Sequence, residues 1–174
     1  MNTYPSPLEM LYKWEQETPS KIYMRQPIKS IWHEWTWKET AEQVRKMAAY
    51  LKSLNLPEGS RIGILSKNCA HWMFSDLAIM MSGHVSVPLY PNLNAETLKQ
   101  ILEHSETQVL FVGKLDDYES VRPGVPANVQ CIAYPFYTEE GYPVWDDLVE
   151  DVTPISENVV RDSEELATII YTSG

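Results

Sequence analysis

The sequence predicts an α/β fold in which helices flank a parallel sheet, preceded by an early β-hairpin. Three apolar runs predict the strands of the sheet: Arg61–Leu65, Val85–Leu89 and Val109–Val112. Helical patterns separate these runs and the connections are short, an alternation typical of parallel strands with crossover helices. The chain has 174 residues, of which 44% are apolar, so a single domain with a sizeable core is expected.

The first 37 residues predict a short helix and a hairpin. Apolar and polar residues alternate over 21–25 and again over 31–37, which favours two antiparallel strands joined by a turn. Before them, a helix over 7–16 would carry three apolar side chains on one side: Leu8, Leu11 and Tyr12.

The second strand of this hairpin is rich in aromatic residues. In an extended strand His33, Trp35 and Trp37 point to one face, and Trp32 points to the other. A sugar platform or a membrane interface would use such rings. A half-buried hairpin that packs on the following helix explains them without a ligand, and we favour that interpretation.

A capping box marks the start of the second helix. Thr36 and Glu39 are spaced so that the hydroxyl and the carboxylate can each accept a hydrogen bond from a backbone amide. Pro57 and Gly59 end this helix. Its apolar positions recur every three or four residues and form one stripe: Trp37, Ala41, Val44, Ala48 and Leu51.

Asparagine residues mark the starts of the next two helices. Asn68 is expected to cap a helix over 69–82, which is apolar on most sides and therefore largely buried, and Gly83 supplies its left-handed stop. Asn94 is expected to cap the helix after that. Its inward side carries Leu98, Ile101 and Leu102. In the helix over 69–82 we place three methionines in the core: Met73, Met80 and Met81.

The pattern becomes looser after residue 113. We expect a strand over 129–133, a short turn or helix over 144–148, and a last buried strand over 167–171.

Small residues follow that last strand. They let successive backbone amides point at one anion, and their hydroxyls add donors, so the loop is suited to hold a phosphate group. These residues are Thr172, Ser173 and Gly174. The Walker pattern GxxxxGK[ST] is absent, so an ordinary P-loop is not indicated.

Charge and composition exclude several function classes. The net charge is −10, from 24 acidic and 14 basic residues, and we find no basic patch, so no nucleic-acid partner is expected. The first residues do not have the pattern of a signal peptide. The longest uninterrupted apolar stretches have about five residues, far fewer than a membrane span needs.

The remaining polar residues give weak signals. Cys69 and Cys131 have no partner motif, which favours two reduced thiols in a cytosolic protein but leaves a disulfide open. The four histidines lack the spacing of metal ligands, so no metal site is expected. We interpret the acidic pairs, such as Glu139-Glu140 and Asp146-Asp147, as solvated charges.

Three blocks of the sequence resemble one protein family, and they occur in that family's order. RIGILSKNCAHW (61–72) resembles the block RVAILSENRPEW, and GHVSVPLYP (83–91) resembles GAVYVPLYP. RDSEELATIIYTSG (161–174) resembles RDPDDLATIIYTSG, which opens the signature YTSGTTGxPKG. The chain thus resembles the adenylate-forming superfamily of acyl-CoA synthetases, luciferases and adenylation domains. Within it, the chain looks most like a bacterial long-chain fatty-acid–CoA ligase.

The resemblance implies an ATP-dependent reaction in two steps. A carboxylate attacks the α-phosphate of ATP to give an acyl-adenylate and pyrophosphate, and the thiol of coenzyme A then displaces AMP. Mg²⁺ would bridge the phosphates and offset their charge. The resemblance implies no catalytic residue within the chain. It implies three residues that contact the ATP phosphates: Thr172, Ser173 and Gly174.

The resemblance also predicts what kind of polypeptide this is. Residues 1–174 correspond to the amino-terminal part of the AMP-binding domain and end inside the signature, so we expect a fragment that is inactive alone. We expect a cytoplasmic parent with a fatty acid and coenzyme A as substrates, a peripheral membrane contact at most, and self-association of the fragment through its truncated face. Two alternatives stay open: an enzyme that adenylates aryl or amino acids, and a non-enzymatic α/β binding module.

Overall fold

A four-stranded parallel sheet and a two-stranded antiparallel hairpin organise the part of the chain that the computed structural model describes, residues 4–137, 139 and 141–172. The helices are α1 (Pro7–Glu17), α2 (Trp37–Ser53), α3 (Ala70–Met81), α4 (Ala95–His104) and α5 (Trp145–Val149). The strands are β1 (Ile22–Ile28), β2 (Ile31–Thr36), β3 (Arg61–Leu65), β4 (Val85–Leu89), β5 (Val109–Val112) and β6 (Gln130–Ala133). The predicted fold class is confirmed.

Two capping boxes fix the starts of the first two helices. The hydroxyl of Ser6 accepts from the amide of Glu9 at 3.2 Å, and the Glu9 carboxylate accepts from the amide of Ser6 at 2.7 Å. Thr36 and Glu39 repeat this arrangement at 3.2 and 2.8 Å, which confirms the capping box predicted there. Because β2 ends on the capping residue, α2 starts directly from the hairpin.

The strand order in the parallel sheet is β4-β3-β5-β6. From β3 the chain passes through α3 to β4 on one side, and it then returns through α4 to β5 on the other side. Helices α1, α2, α3 and α5 contribute to the core on one face of the sheet, and α4 contributes to the core on the opposite face. The direction of winding therefore reverses between β3 and β5, and this reversal places ligand crevices at the carboxyl edge of such sheets.

The predicted apolar stripe of α2 is confirmed, since Ala41, Val44, Ala48 and Leu51 are all fully buried. The hairpin covers the same core, but one of its expected strand residues lies elsewhere. Trp35 packs edge-on against Phe74 of α3, with ring centroids 5.9 Å apart. Trp37 is the first residue of α2 rather than the last of a strand, because the Thr36 cap turns the chain into the helix. Trp37 stacks on the ring of Tyr23.

Two expectations for α3 are wrong. Its N-cap is Cys69 and not Asn68, and no side chain of the cap bonds the first turn. Instead the side-chain oxygen of Gln26, from the hairpin, accepts from the amide of Ala70 at 2.7 Å. Met73 is 38% exposed while Met81 is fully buried, so the expectation that Met73 lies in the core is wrong. Gly83 follows α3 with φ +84°, which confirms the left-handed stop.

The expected last strand over 167–171 is also wrong as a buried strand. One parallel bridge joins Thr168 to Ser86 of β4, through hydrogen bonds of 3.0 Å (Ser86 N to Ala167 O) and 2.9 Å (Ile169 N to Ser86 O). Leu166 is 56% and Ile170 is 63% exposed. Among the described residues only β4 pairs with this segment, so one of its edges stays in solvent. We call residues 167–172 the terminal segment.

Candidate functional site

The loops that follow β3 and β5 are tied together at the carboxyl edge of the sheet. The hydroxyl of Ser66 accepts from the amide of Lys114 at 2.9 Å and donates to the carbonyl of Lys67 at 2.7 Å. The amide of Lys67 donates to the carbonyl of Lys114 at 2.8 Å. Two lysines are therefore held at the same edge. The sequence pattern did not indicate Lys67 and Lys114 as site residues, although each lies two residues after the end of its strand.

A glycine permits this close approach of the two loops. A Cβ atom on Gly113 would lie 2.2 Å from Cδ2 of Tyr134 and 2.5 Å from the hydroxyl oxygen of Ser66. Tyr134 is fully buried and its hydroxyl is hydrogen bonded to Ser75 at 2.7 Å, so the ring is not free to move aside. Any larger residue at position 113 would push β5 away from Ser66 and separate the lysine loops.

The terminal segment continues the edge beyond β4. Since Thr168 is level with Ser86, a parallel register puts Tyr171 level with Leu89, the last residue of β4. Side chains alternate along the segment. Ile169 and Tyr171 pack towards the core that includes α4, and Ile170 faces the other way. Thr172, the next residue, is exposed and lies where the strands of the sheet end.

Two depressions of about 530 Å³ each flank the terminal segment. One is bounded by Ile170, Trp72 and the end of β4, with Lys67 and Asn68 also in its lining. The other is bounded by Thr172, Tyr171 and the loop after β4, including Tyr90 and Asn92. The first combines apolar walls with an ammonium group. The second has Thr172 and Asn92 among its polar lining residues.

Of the three residues expected to contact phosphate, the structure places one. Thr172 lies at the carboxyl edge as described above, whereas Ser173 and Gly174 lie outside the described residues. The contact with phosphate stays a prediction for all three. The sequence identified the segment from its small residues together with its resemblance to the family's signature.

Residues of the hairpin lie beside the loops that follow β3 and β5. Gln26 of the hairpin bonds the first amide of α3, as described above, and its side-chain nitrogen donates to the hydroxyl of Tyr137 at 2.9 Å. A pocket of about 370 Å³ remains beside it, lined in part by Asn68, Cys69 and Lys114. Both cysteines are free thiols, as favoured from the sequence. Burial raises the pKa of the Cys69 thiol, which keeps it protonated and poorly nucleophilic.

The electrostatics of the edge suit an anion better than a metal ion. Lys67 forms an ion pair with Asp116, while no carboxylate among the described residues lies within ion-pair distance of Lys114. Within residues 4–137, 139 and 141–172, no three His, Cys, Asp or Glu side chains are grouped so as to hold a metal ion. No helix in the described part of the chain has both the length and the apolar character needed to cross a membrane.

Comparison with known proteins agrees with this architecture. A family model described as AMP-binding enzyme matches residues 11–174. Among curated proteins, the chain is similar to the long-chain-fatty-acid–CoA ligase FadD15 of Mycobacterium bovis, with 29% identity over 172 residues. That match covers 95% of this chain and 28% of the relative. The long-chain-fatty-acid–CoA ligase heimdall of Drosophila melanogaster is 30% identical over 160 residues, or 82% of this chain and 23% of the relative.

Solved structures show the same fold at lower identity. The anthranilate CoA ligase AuaEII, in complex with anthranoyl-AMP, superposes with a TM-score of 0.83 at 22% identity, over 100% of this chain and 33% of that one. Coronafacic acid ligase from Pectobacterium brasiliense gives 0.79 at 19% identity, over 94% and 33% of the two chains. The chain spans about a quarter of the length of the curated relatives above, and over that span it belongs to the AMP-binding enzyme family.

Proposed function

We propose that the protein containing residues 1–174 is an ATP-dependent long-chain fatty-acid–CoA ligase. The observation that carries the proposal is the 172-residue match to a long-chain-fatty-acid–CoA ligase at 29% identity. Membership of the AMP-binding enzyme family supports the class of reaction. The position of Thr172 at the carboxyl edge, one residue beyond the level at which β4 ends, supports its proposed contact with ATP.

In the proposed reaction a carboxylate oxygen of the fatty acid forms a bond to the α-phosphorus of ATP, and pyrophosphate leaves. The sulfur of coenzyme A then bonds the acyl carbon, its proton is released, and AMP leaves. Both steps concentrate negative charge on phosphate oxygens, so donors that already point at them favour the transition state. We propose that the hydroxyl of Thr172 is one such donor.

Other described residues at the carboxyl edge add positive charge to the proposed site and hold its loops in place. Lys67 and Lys114 add positive charge near the phosphates, and Ser66 and Gly113 keep their two loops together. A bound Mg²⁺ would supply further charge neutralisation, but the described residues offer no ligand set for it. We propose that the acyl pocket and the groups that act on the reacting atoms lie outside residues 1–174, so that these residues alone are inactive. The cytoplasmic location stays a prediction.

The first step of the test is to read the coding sequence beyond the codon for Gly174. A continuation with Thr-Thr-Gly, and with Pro-Lys-Gly shortly after, identifies the polypeptide to assay. A stop codon at that point would contradict the ligase proposal for this gene product and favour a non-enzymatic module.

The second step is an assay of the complete gene product. ATP–pyrophosphate exchange and acyl-CoA formation are measured with hexadecanoate, benzoate, anthranilate and a mixture of amino acids. We expect activity with hexadecanoate. Exchange with aryl or amino acids alone would be consistent with the family but would contradict the proposed fatty-acid substrate. The absence of exchange with any acid would contradict the proposed function.

Variants of Thr172 test the role of its hydroxyl. We expect Thr172→Ala to lower the rate of exchange about tenfold or more, because a donor to a charged phosphate oxygen is lost. Thr172→Ser should retain most of the rate. Thr153→Ala, at another exposed threonine, is the matched control and should change nothing. Equal rates for Thr172→Ala and the control would contradict the proposed contact.

A further inference from the structure

The terminal segment has little backbone support where it approaches the proposed phosphate contact. Its backbone hydrogen bonds to β4 run through Ser86 alone, and the last of them is the bond from the amide of Ile169. Within the described residues, no backbone hydrogen bond holds Ile170, Tyr171 or Thr172. A loop that must place donors on a phosphate needs a defined position, because a misplacement of about 1 Å can cost orders of magnitude in rate.

One side chain supplies the missing support. The hydroxyl of Tyr171 is 2.7 Å from Nδ1 of His104, the last residue of α4. The two rings meet edge to face, with centroids 5.7 Å apart and an angle of 86°. The Tyr171 ring also packs against the core that α4 covers. This contact ties the end of the terminal segment to a helix that is itself fixed on the sheet.

We propose that His104 is a positioning residue for the phosphate contact, acting through Tyr171 on Thr172. The proposal rests on the function proposed above, since it assigns a role in that same site. His104 does not need to touch ATP. It holds the ring of Tyr171 on the α4 side, and the alternation of side chains then directs Ile170 to the opposite side and leaves Thr172 at the edge.

The bond can be removed from either end without disturbing the core. Tyr171→Phe deletes only the hydroxyl, and His104→Ala deletes the ring of an exposed side chain. His104→Asn keeps an amide with a donor and an acceptor near the place of Nδ1. Tyr50→Phe is the matched control, because it also removes one hydrogen bond to a tyrosine hydroxyl. That bond, of 3.1 Å, is donated by the side-chain amide of Gln130. Gln130 begins β6 and so lies at the opposite edge of the sheet.

In the complete gene product, we expect His104→Ala and Tyr171→Phe each to lower kcat/KM for ATP about tenfold, since one hydrogen bond of ordinary strength is lost. The KM for the fatty acid should stay the same. The double variant should lose no more than either single variant, because both remove the same contact. His104→Asn should recover most of the loss, and Tyr50→Phe should match the unmodified protein. A loss that Tyr50→Phe shares, or one that His104→Asn does not recover, would overturn the proposal.

Hydrogen exchange gives a readout that does not depend on activity. We expect the amide of Ile169 to exchange about tenfold faster in His104→Ala and Tyr171→Phe, because the segment opens more often. Amides of β4 other than those in the bridge should keep their rates, and Tyr50→Phe should leave the exchange of the Ile169 amide unchanged. If the unmodified protein forms no adenylate, the proposed function fails while this measurement still decides whether His104 holds the segment. Unchanged exchange at Ile169 would overturn the inference about His104.

Discussion

Strand β3 and the terminal segment are both short, apolar and rich in isoleucine, yet they have opposite environments. Ile64 of β3 is fully buried, while Ile170 of the terminal segment is 63% exposed. β3 is paired along its length on both sides, and Ile64 lies level with Pro88 of β4 and Phe111 of β5. The terminal segment is bridged to β4 at a single residue. An apolar sequence gives a segment the capacity to be buried, but the neighbours decide whether burial occurs.

The two regions also differ in how they hold their backbone. β3 exchanges ladder hydrogen bonds with two strands and is covered by helices on both faces. The terminal segment depends on two backbone bonds and on the contact between Tyr171 and His104. We therefore expect the first region to determine the stability of the fold and the second to determine the geometry of the site.

The largest expected effect is at the centre of the sheet. Ile64→Ala removes buried methyl and methylene groups and leaves a cavity, so the free energy of unfolding should fall by between about 2 and 5 kcal/mol. Urea denaturation followed by circular dichroism measures this loss. Ile64→Val should cost between about 0.5 and 1.5 kcal/mol. A loss below 1 kcal/mol for the alanine variant would mean that the cavity collapses and that the sheet is packed less rigidly than its burial indicates.

The next effect concerns a histidine in the same core. His71 of α3 is 6% exposed and is surrounded by the rings of Trp35, Phe74, Tyr134 and Trp145. Burial lowers its pKa from 6.5 to about 4. The unfolded chain therefore binds this proton more readily than the folded chain between about pH 6.5 and 4. The free energy of unfolding should fall as the pH drops through that window, by about 3 kcal/mol from this group.

Denaturant unfolding at several pH values, compared between the unmodified chain and His71→Phe, isolates this contribution. The phenylalanine variant should lose most of the slope between pH 6.5 and 4. Some slope should remain, because burial also lowers the pKa of His84. Identical slopes in the two proteins would show that His71 is not the group that titrates.

Local signals in the sequence predicted most of the elements of the fold. The spacing of Thr36 and Glu39 gave the start of α2, and Gly83 gave the end of α3, because both signals act within one turn of helix. The resemblance of three ordered blocks gave the family. Of the candidate site, the sequence predicted the segment ending at Thr172 but not its surroundings.

Contacts between distant parts of the chain could not be predicted in this way. Arg45 is a buried cation whose guanidinium donates to the carbonyls of Ile155 and Glu157 and pairs with the Glu15 carboxylate. Its sequence neighbours give no sign of this, because the two carbonyls lie more than a hundred positions away. The bond from Gln26 to α3, and the contact between His104 and Tyr171, have the same character. Each requires the packed structure before its partners are known.

The smallest expected effect is at the terminal segment, and it completes the comparison. Ile170→Ala makes the same chemical change as Ile64→Ala, but in chain 1–174 it should alter the free energy of unfolding by no more than about 0.5 kcal/mol, because the side chain is already largely in water. The same two variants in the complete gene product then measure what the rest of that polypeptide adds. If another part of it covers the depression beside Trp72, the cost of Ile170→Ala should rise towards that of Ile64→Ala, while the cost of the latter stays constant. A cost for Ile170→Ala equal to that of Ile64→Ala in chain 1–174 itself would instead show that the terminal segment already belongs to the cooperative core.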